Sequence, residues 1–402
     1  MLAVGVKKSF TGKAENALEQ LEQFLQKRSD RDGQTGWLFG HLGYNLKDQI
    51  EGLSSAHADK IRFPDIFFFE PEIMVRLSDN KMEIEAENKV EAERIFFEVM
   101  DAGHEIRKEE HSIQINQRVS KEEYIDTIER LKKHILRGDC YEINYCMEFF
   151  AENAVIDPLP VYQRLSSTSP NPFSALYKLD DKWLICASPE RFLKKEGNKI
   201  LSQPIKGTSS RFLKDEKKDK KSRDELFESE KDRSENVMVV DLVRNDLARV
   251  CKEGTVKVDE LFGIYSFPQV HQMISTVSGE LKDDMTFAEI IKATFPMGSM
   301  TGAPKRKVME LIEKYEKSRR GIFSGAVGYL TPFPHSTKLR GGRGEVNFDF
   351  NVVIRSIMYN ASEKYLSFMA GSGITFYSDA EKEYEECLLK AEAMRGAIRG
   401  MN

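Results

Sequence analysis

The sequence predicts an α+β fold in which largely antiparallel sheets are covered by helices on the outside. Three observations carry that reading. Strand-length apolar runs and helical periodicities are both present, but they do not follow the regular βαβ order that a parallel sheet requires. No G-x-G-x-x-G turn or Walker loop appears, which disfavours a doubly wound nucleotide-binding fold. The 402 residues, 40% hydrophobic with 25 Phe and 13 Tyr, supply a sizeable core, and their number suits two or three domains.

Along the chain, Ala14, Ala17, Leu18, Leu21, Phe24 and Leu25 recur at i, i+3, i+4 and predict an amphipathic helix. Trp37–Leu42 and Ile66–Leu77 read as strands, the second broken at Pro71. Ser120 and Glu123 form an S-x-x-E capping box for a helix whose apolar face is Tyr124, Ile128, Leu131 and Ile135, ending at Gly138. Strands follow at Cys140–Phe150 and Trp183–Ala187. Residues 214–235 are mostly charged, with both signs, and read as a solvated surface segment. They run straight into the apolar stripe of Val237–Val250, so a surface–core boundary falls at that junction. Further strands are expected at Ile322–Leu330, Phe348–Met358 and Tyr365–Ala370, and helices at Pro304–Lys317 and Asp379–Ile398, the last capped by Ser378 and Glu381. The main boundary is placed at residue 118: residues 1–117 complete the sheet core, and 118–398 form the catalytic region.

Composition narrows the function classes. Sixty basic against 65 acidic residues leave a net charge of −5, which gives no electrostatic basis for nucleic acid. No apolar run nears the roughly 20 residues of a membrane span, and MLAVGVKKSF lacks a signal peptide's apolar core. The five cysteines contain no C-x-x-C and the seven histidines no H-x-H or H-E-x-x-H, so neither a disulfide framework nor a zinc site is expected. The expectation is a cytoplasmic protein with reduced thiols.

A few constellations carry chemistry. Asp232 with Glu235, and Glu383 with Glu386, are two i, i+3 acidic pairs, each on one helical face. If the faces met, they would offer the oxygen-rich surroundings that Mg²⁺ prefers, although Glu386 has an alternative partner in Lys390 at i+4. PMGSMTGAPK (296–305) is a small-residue loop opening a helix, and AGSG (370–373) a second small-residue turn; either suits a carboxylate or phosphate. Lys206 in QPIKGT reads as a surface charge unless its site lowers its pKa enough to free an amine nucleophile. Glu190 in SPERF and His271 in FPQVHQ are single acid–base candidates. Arg355, alone in the apolar run NVVIRS, needs an anion from the protein or from a ligand.

Taken in order, GDCYEIN, SPERF, PIKGTSSR, KDRSENVMVVDLVRNDLARV, VHQMISTVSGEL, GSMTGAPKRKVMELI, RRGIFSGAVGYL, VIRS, AGSGI and EYEECLLKA resemble the chorismate-utilising enzymes over roughly residues 120–396. That family includes the component I chains of anthranilate and aminodeoxychorismate synthases and the isochorismate and salicylate synthases.

The resemblance implies an α+β fold with a large two-sheet core, an active site between the sheets and a Mg²⁺-dependent reaction on chorismate. It assigns Glu235 and Glu386 to the metal, with Asp232 and Glu383 as their acidic neighbours. Arg355, Gly371 and Gly373 match the part that binds the enolpyruvyl carboxylate, and Thr208, Ser299 and Lys390 fall at substrate-binding positions. His271 matches a histidine near the reacting ring, Glu190 a general acid and base whose apolar site should raise its pKa. Phe323 stands where many members have Tyr. Lys206 is the discriminating residue, because the anthranilate branch has a small residue there and the aminodeoxychorismate branch has Lys. In that branch the lysine is proposed to add to ring C2, and ammonia then aminates C4. The product, 4-amino-4-deoxychorismate, leads to para-aminobenzoate and folate. Isochorismate enzymes carry a Lys base where this chain has Glu142, and Glu142 also departs from the Gln common in ammonia users. No glutaminase segment is recognised, so ammonia is expected from a separate glutamine amidotransferase subunit.

Overall fold

The computed structural model describes residues 1–12, 16–32, 36–101, 113–332 and 346–399. Among them the strands form sheets of three, seven and ten strands, and the pairings within each are antiparallel. The predicted α+β class with mainly antiparallel sheets is the class found.

The arrangement follows from alternation along a strand. In Glu142–Ala151, the residues Ile143, Tyr145, Met147, Phe149 and Ala151 belong to one apolar cluster. Glu142, Asn144, Cys146 and Glu148 alternate with them and turn to the opposite face, where Cys146 joins the other cluster. The first face is covered by the helices Lys121–Leu136, Pro158–Thr168, Lys305–Tyr315 and Ala380–Arg399. The second faces the ten-stranded sheet, and between the sheets lies the core of Leu38, Phe68, Leu184, Phe192, Phe350 and Met369. Polar side chains therefore enter a space with sheet on either side.

Several elements differ from expectation for local reasons. Ala14 lies outside the described residues, and the first helix runs Ala17–Asp32. The run Ile66–Leu77 breaks at Pro71 into Ile66–Glu70 and Ile73–Ser78, which enter different sheets. Ile322 and Phe323 are in a turn, because Gly321 (φ +60°) and Ser324 (φ +61°) are left-handed; the strand begins at Ala326. The run Phe348–Met358 is two strands. Val346–Asn351 belongs to the ten-stranded sheet and Ser356–Asn360 to the seven-stranded one, and Arg355 (φ +49°) makes the crossover. AGSG is not a turn: it continues the strand Tyr365–Ile374. The charged segment forms the helix Glu216–Glu228 and the first turns of Glu230–Val250. The C-terminal helix is capped by Asp379, which accepts from Glu381 and Lys382 N–H, while Ser378 accepts from Thr375. The five cysteines are free and buried, and no helix among the described residues is long and apolar enough to cross a membrane.

Four segments are tied by one buried ion pair. Arg320 forks onto Glu316 (Nη2–Oε1 2.6 Å, Nε–Oε2 2.9 Å). It also donates to the carbonyls of Met300 (2.7 Å) and Asn144 (2.8 Å) and to Ser324 Oγ (3.2 Å). Glu316 in turn accepts from Cys146 N–H at 2.9 Å. Replacing Arg320 by Met strands the Glu316 charge and three acceptors in the interior. R320M is expected to lower unfolding stability by about 3–5 kcal/mol in urea titrations, and the double variant E316Q/R320M to regain part of that loss.

Candidate active site

The polar space between the sheets brings together residues far apart in sequence. Lys206, on the strand Ile205–Ser210, places Nζ 2.7 Å from Glu142 Oε1, with side chains 10% and 3% exposed. The second oxygen, Glu142 Oε2, is buried without a hydrogen-bond partner. Gly373 makes room for this pair: a Cβ there would lie 2.3 Å from Glu142 Oε1 and 2.8 Å from Lys206 Nζ.

Burial by itself would lower the Lys206 pKa, but Glu142, Glu235 and Glu190 outweigh it and the net shift is upward. A lysine freed as an amine by a depressed pKa is therefore not what the structure holds. Lys206 is an ammonium, and Glu142 is in place to take its proton.

Glu190 stands on the other side of the space, buried, and accepts a hydrogen bond from Ser299 Oγ at 2.6 Å. Ser299 is presented by the 3₁₀ turn Gly298–Met300. Desolvation raises the Glu190 pKa to about 7 against smaller opposing effects of Ser299, Lys206 and Arg355. The carboxyl is thus held near the protonated form needed by a general acid. The Arg355 guanidinium makes no hydrogen bond or ion pair with a described side chain, and Glu190 acts on it only at a distance.

In the strand of Glu142, Asn144 and Cys146 donate their N–H groups away from the strand opposite, to Thr301 O (2.7 Å) and Glu316 Oε1 (2.9 Å). Their partners Gly373 and Gly371 consequently turn their own peptide groups to the far edge of the strand. There Lys390 donates to Gly371 O at 2.9 Å. A guanidinium without a close side-chain partner and two glycines with free peptide edges are each suited to a carboxylate.

The carboxylates expected to hold a metal sit on two helices. Glu235 is in Glu230–Val250, anchored in the core by Val239, Val240, Val243 and Leu247; Glu383 and Glu386 are in Ala380–Arg399, anchored by Tyr384, Cys387, Ala391 and Met394. Among the described residues no group of three metal-ligating side chains stands ready to hold an ion. Lys231 instead lies between them, 3.4 Å from Glu383, 3.8 Å from Glu386 and 3.9 Å from Glu235. Glu383 Oε2 is buried with no partner. Burial raises the Glu235 pKa to about 7. Glu386, also opposed by burial, is nonetheless held below the usual carboxylate range by Lys390, Lys231 and Lys206. Carboxylates that share an ammonium and keep an unused oxygen fit a hard dication. Asp232 is not in this group; its side chain packs against Gly207.

Of the other expected residues, Thr208 is exposed on the strand of Lys206, opposite Gln272. His271 is buried with both ring nitrogens engaged, by Ser266 Oγ at 2.8 Å and Asp219 Oδ1 at 3.3 Å. Neither partner belongs to the group around Lys206. Phe323 is in the core between the sheets. Sequence reasoning missed Lys231 and the Arg320–Glu316 pair. Lys231 had a local signal, its i, i+4 spacing to Glu235; the role of the pair in joining distant segments had none.

Comparison with known proteins gives a consistent picture. The profile of a family described as chorismate binding enzyme matches residues 2–396. A Synechocystis sp. protein named anthranilate synthase component I-like protein is 33% identical over 371 residues, 91% of this chain and 73% of that one. Aminodeoxychorismate synthase component 1 of Escherichia coli is 31% identical over 386 residues, 94% of this chain and 81% of that one. Among solved structures, anthranilate synthase component I from Streptococcus pneumoniae shares the fold, with a TM-score of 0.82 at 24% identity, covering 98% of this chain and 91% of that one.

The raised Glu190 pKa has a consequence for stability. Since the fold favours the neutral acid, its contribution is complete below the ordinary value of 4.5 and is lost as pH rises towards 7. Glu190→Gln keeps an acceptor for Ser299 and removes the ionisation. E190Q is expected to be more stable than the parent at pH 8, by about 2 kcal/mol, and to show no gain at pH 4.5, read from denaturant unfolding at both pH values.

Proposed function

The chain belongs to the family of chorismate-binding enzymes, and from that premise we propose that it is component I of an aminodeoxychorismate synthase, aminating chorismate at C4 to 4-amino-4-deoxychorismate. The observation that carries this reading is Lys206: an ammonium only 10% exposed, in contact with a carboxylate that can accept its proton, with an acid held near neutrality in the same space. A surface lysine would need neither partner. The E. coli relative bears the name of this activity. The Synechocystis relative's name favours an anthranilate synthase instead, with amination at C2 and loss of pyruvate; against that stands Lys206, where the anthranilate enzymes have a small residue.

In this reading Glu235 and Glu386, with Glu383 adding charge, would hold Mg²⁺, which would supply positive charge to stabilise anionic substrate groups. Arg355 and the edge peptides of Gly371 and Gly373 take the enolpyruvyl carboxylate, with Lys390 fixing the Gly371 carbonyl. Glu142 accepts a proton from Lys206. The free amine forms a bond to C2, the two ring π pairs shift from C1=C2 and C5=C6 to C1=C6 and C4=C5, and the C4–O bond breaks as Glu190 gives its proton to the leaving hydroxyl, which departs as water. Ammonia then bonds to C4, both π pairs return and the C2–N bond to Lys206 breaks. Glu142 returns its proton to Lys206, and Glu190 takes one from the new ammonium, so both carboxyls end as they began. The ammonia comes from a separate glutamine amidotransferase subunit, as a component I chain implies.

Product identity tests this directly. Purified chain with chorismate, Mg²⁺ and ammonium is expected to form aminodeoxychorismate, separated by chromatography and identified by mass, which an added lyase converts to para-aminobenzoate. Lys206→Ala is expected to lower turnover by about three orders of magnitude, the scale on which a nucleophile's removal is felt, with chorismate binding retained. Anthranilate as product would overturn the C4 assignment, and a K206A variant as active as the parent would exclude the covalent lysine.

A further inference from the structure

An ammonium already occupies the place where a cation would enter. Lys231 lies in the first turn of Glu230–Val250, and its Nζ is 3.4 Å from Glu383 Oε1, 3.8 Å from Glu386 Oε2 and 3.9 Å from Glu235 Oε1. Two helices distant in sequence, Glu230–Val250 and Ala380–Arg399, thus converge on one unit charge. Each separation exceeds the 2.7–2.9 Å typical of a strong charge-assisted hydrogen bond, so no single carboxylate fixes the ammonium. Two of the three carboxylates are the more rigid partners: Glu383 is only 2% exposed and Glu235 13%, with Glu386 at 39%, whereas Lys231 is 56% exposed. Its long side chain therefore has a route to water. The buried Glu383 Oε2, with no partner, marks acceptor capacity that one loosely held lysine does not use.

We propose that Lys231 is a built-in counter-ion for the metal site, filling the acidic face in the metal-free enzyme and moving out to solvent when a divalent cation enters. The inference rests on the magnesium reading above and goes beyond it: the enzyme's affinity for the metal is set by competition with its own side chain. The device has a physical use. Lys390 pairs with Glu386 at 2.8 Å and Lys206 acts on Glu235, but without Lys231 or a cation the buried Glu383 would face its two acidic neighbours with no ion-pair partner of its own. With a permanent internal cation held tightly, the dication could not enter. A weakly held, partly exposed lysine prevents the first and permits the second. Removing its charge deepens the negative potential that Mg²⁺ meets, an effect of about tenfold in affinity for a unit charge at this range in a half-solvated site.

The test is titration of the full chain with Mg²⁺ alone, without chorismate, by calorimetry, together with thermal unfolding in the absence and presence of the metal. K231M, and K231Q as a second neutral variant, are expected to bind Mg²⁺ about tenfold more tightly than the parent. Both should melt at a lower temperature without metal and show a larger rise on saturation. K231R keeps the charge and is expected to stay near the parent. Equal or weaker binding by both neutral variants overturns the inference and leaves the magnesium reading standing. Absence of Mg²⁺ binding in every variant overturns both.

Discussion

Arg320 and Glu316 meet in the interior where the strand of Glu142, the turn of Ser299, the turn at Ser324 and the end of the helix Lys305–Tyr315 come together, and the positions of the cleft residues depend on that junction. The guanidinium's planar set of donors satisfies backbone carbonyls of two segments while its charge is matched by a carboxylate on its own segment. Glu316 then reaches the N–H of Cys146. A buried pair of this kind is weak evidence for added stability, but breaking one is costly. Its effect is to fix register: Met300 is next to Ser299, and Asn144 and Cys146 follow Glu142 on one face of one strand. The Ser299 donor and the Glu142 acceptor are set relative to each other by a charge that is itself outside the chemistry.

The cleft beyond that junction is a low-dielectric space in which charges of opposite sign alternate. Glu142 faces Lys206, Lys206 acts on Glu190 and Glu235, and Lys231 and Lys390 sit against the carboxylates of the C-terminal helix. Among the described residues Arg355 has no close anion, and Glu190 acts on it only at a distance. This pattern explains why similar carboxyl groups behave differently. Glu190 and Glu235 are pushed up to about 7 by burial, while Glu386, flanked by lysines, is held down. Environment separates an acid from an anion, as chemistry requiring both demands.

Sheet geometry supplies the remaining precision. Alternation places apolar residues of Glu142–Ala151 under the helices and polar ones in the cleft, and the same period sets Gly371 and Gly373 toward the cleft with their peptide edges free of the neighbouring strand. The crossover at Arg355 comes from a chain that leaves one sheet and joins the other, so its guanidinium enters the space between them. Strands carry Glu142, Lys206, Gly371 and Gly373 and helices carry Glu235, Glu383 and Glu386, while Glu190, Ser299 and Arg355 come from short connections; regular elements thus position most of the groups, which favours a rigid site.

The sequence by itself determined a good deal. Apolar periodicity located the helices of Tyr124–Ile135, Val237–Val250 and the C-terminus, because burial of one face leaves a regular trace along the chain. The order of short motifs identified the family, and the i, i+3 acidic spacing marked Glu235, Glu383 and Glu386. The breaks at Ile322 and at residues 352–355 were not legible: a left-handed residue in an apolar run looks like any other strand residue until its neighbours pair elsewhere. The tertiary structure alone decided that Lys206 meets Glu142 across 64 positions, that Lys231 stands among three carboxylates from two helices, and that His271 is tied to Asp219 and Ser266. The physical reason is common to all three. Local spacing encodes which face of an element a side chain occupies, but its charge state depends on through-space neighbours and burial, which exist only once distant segments have packed.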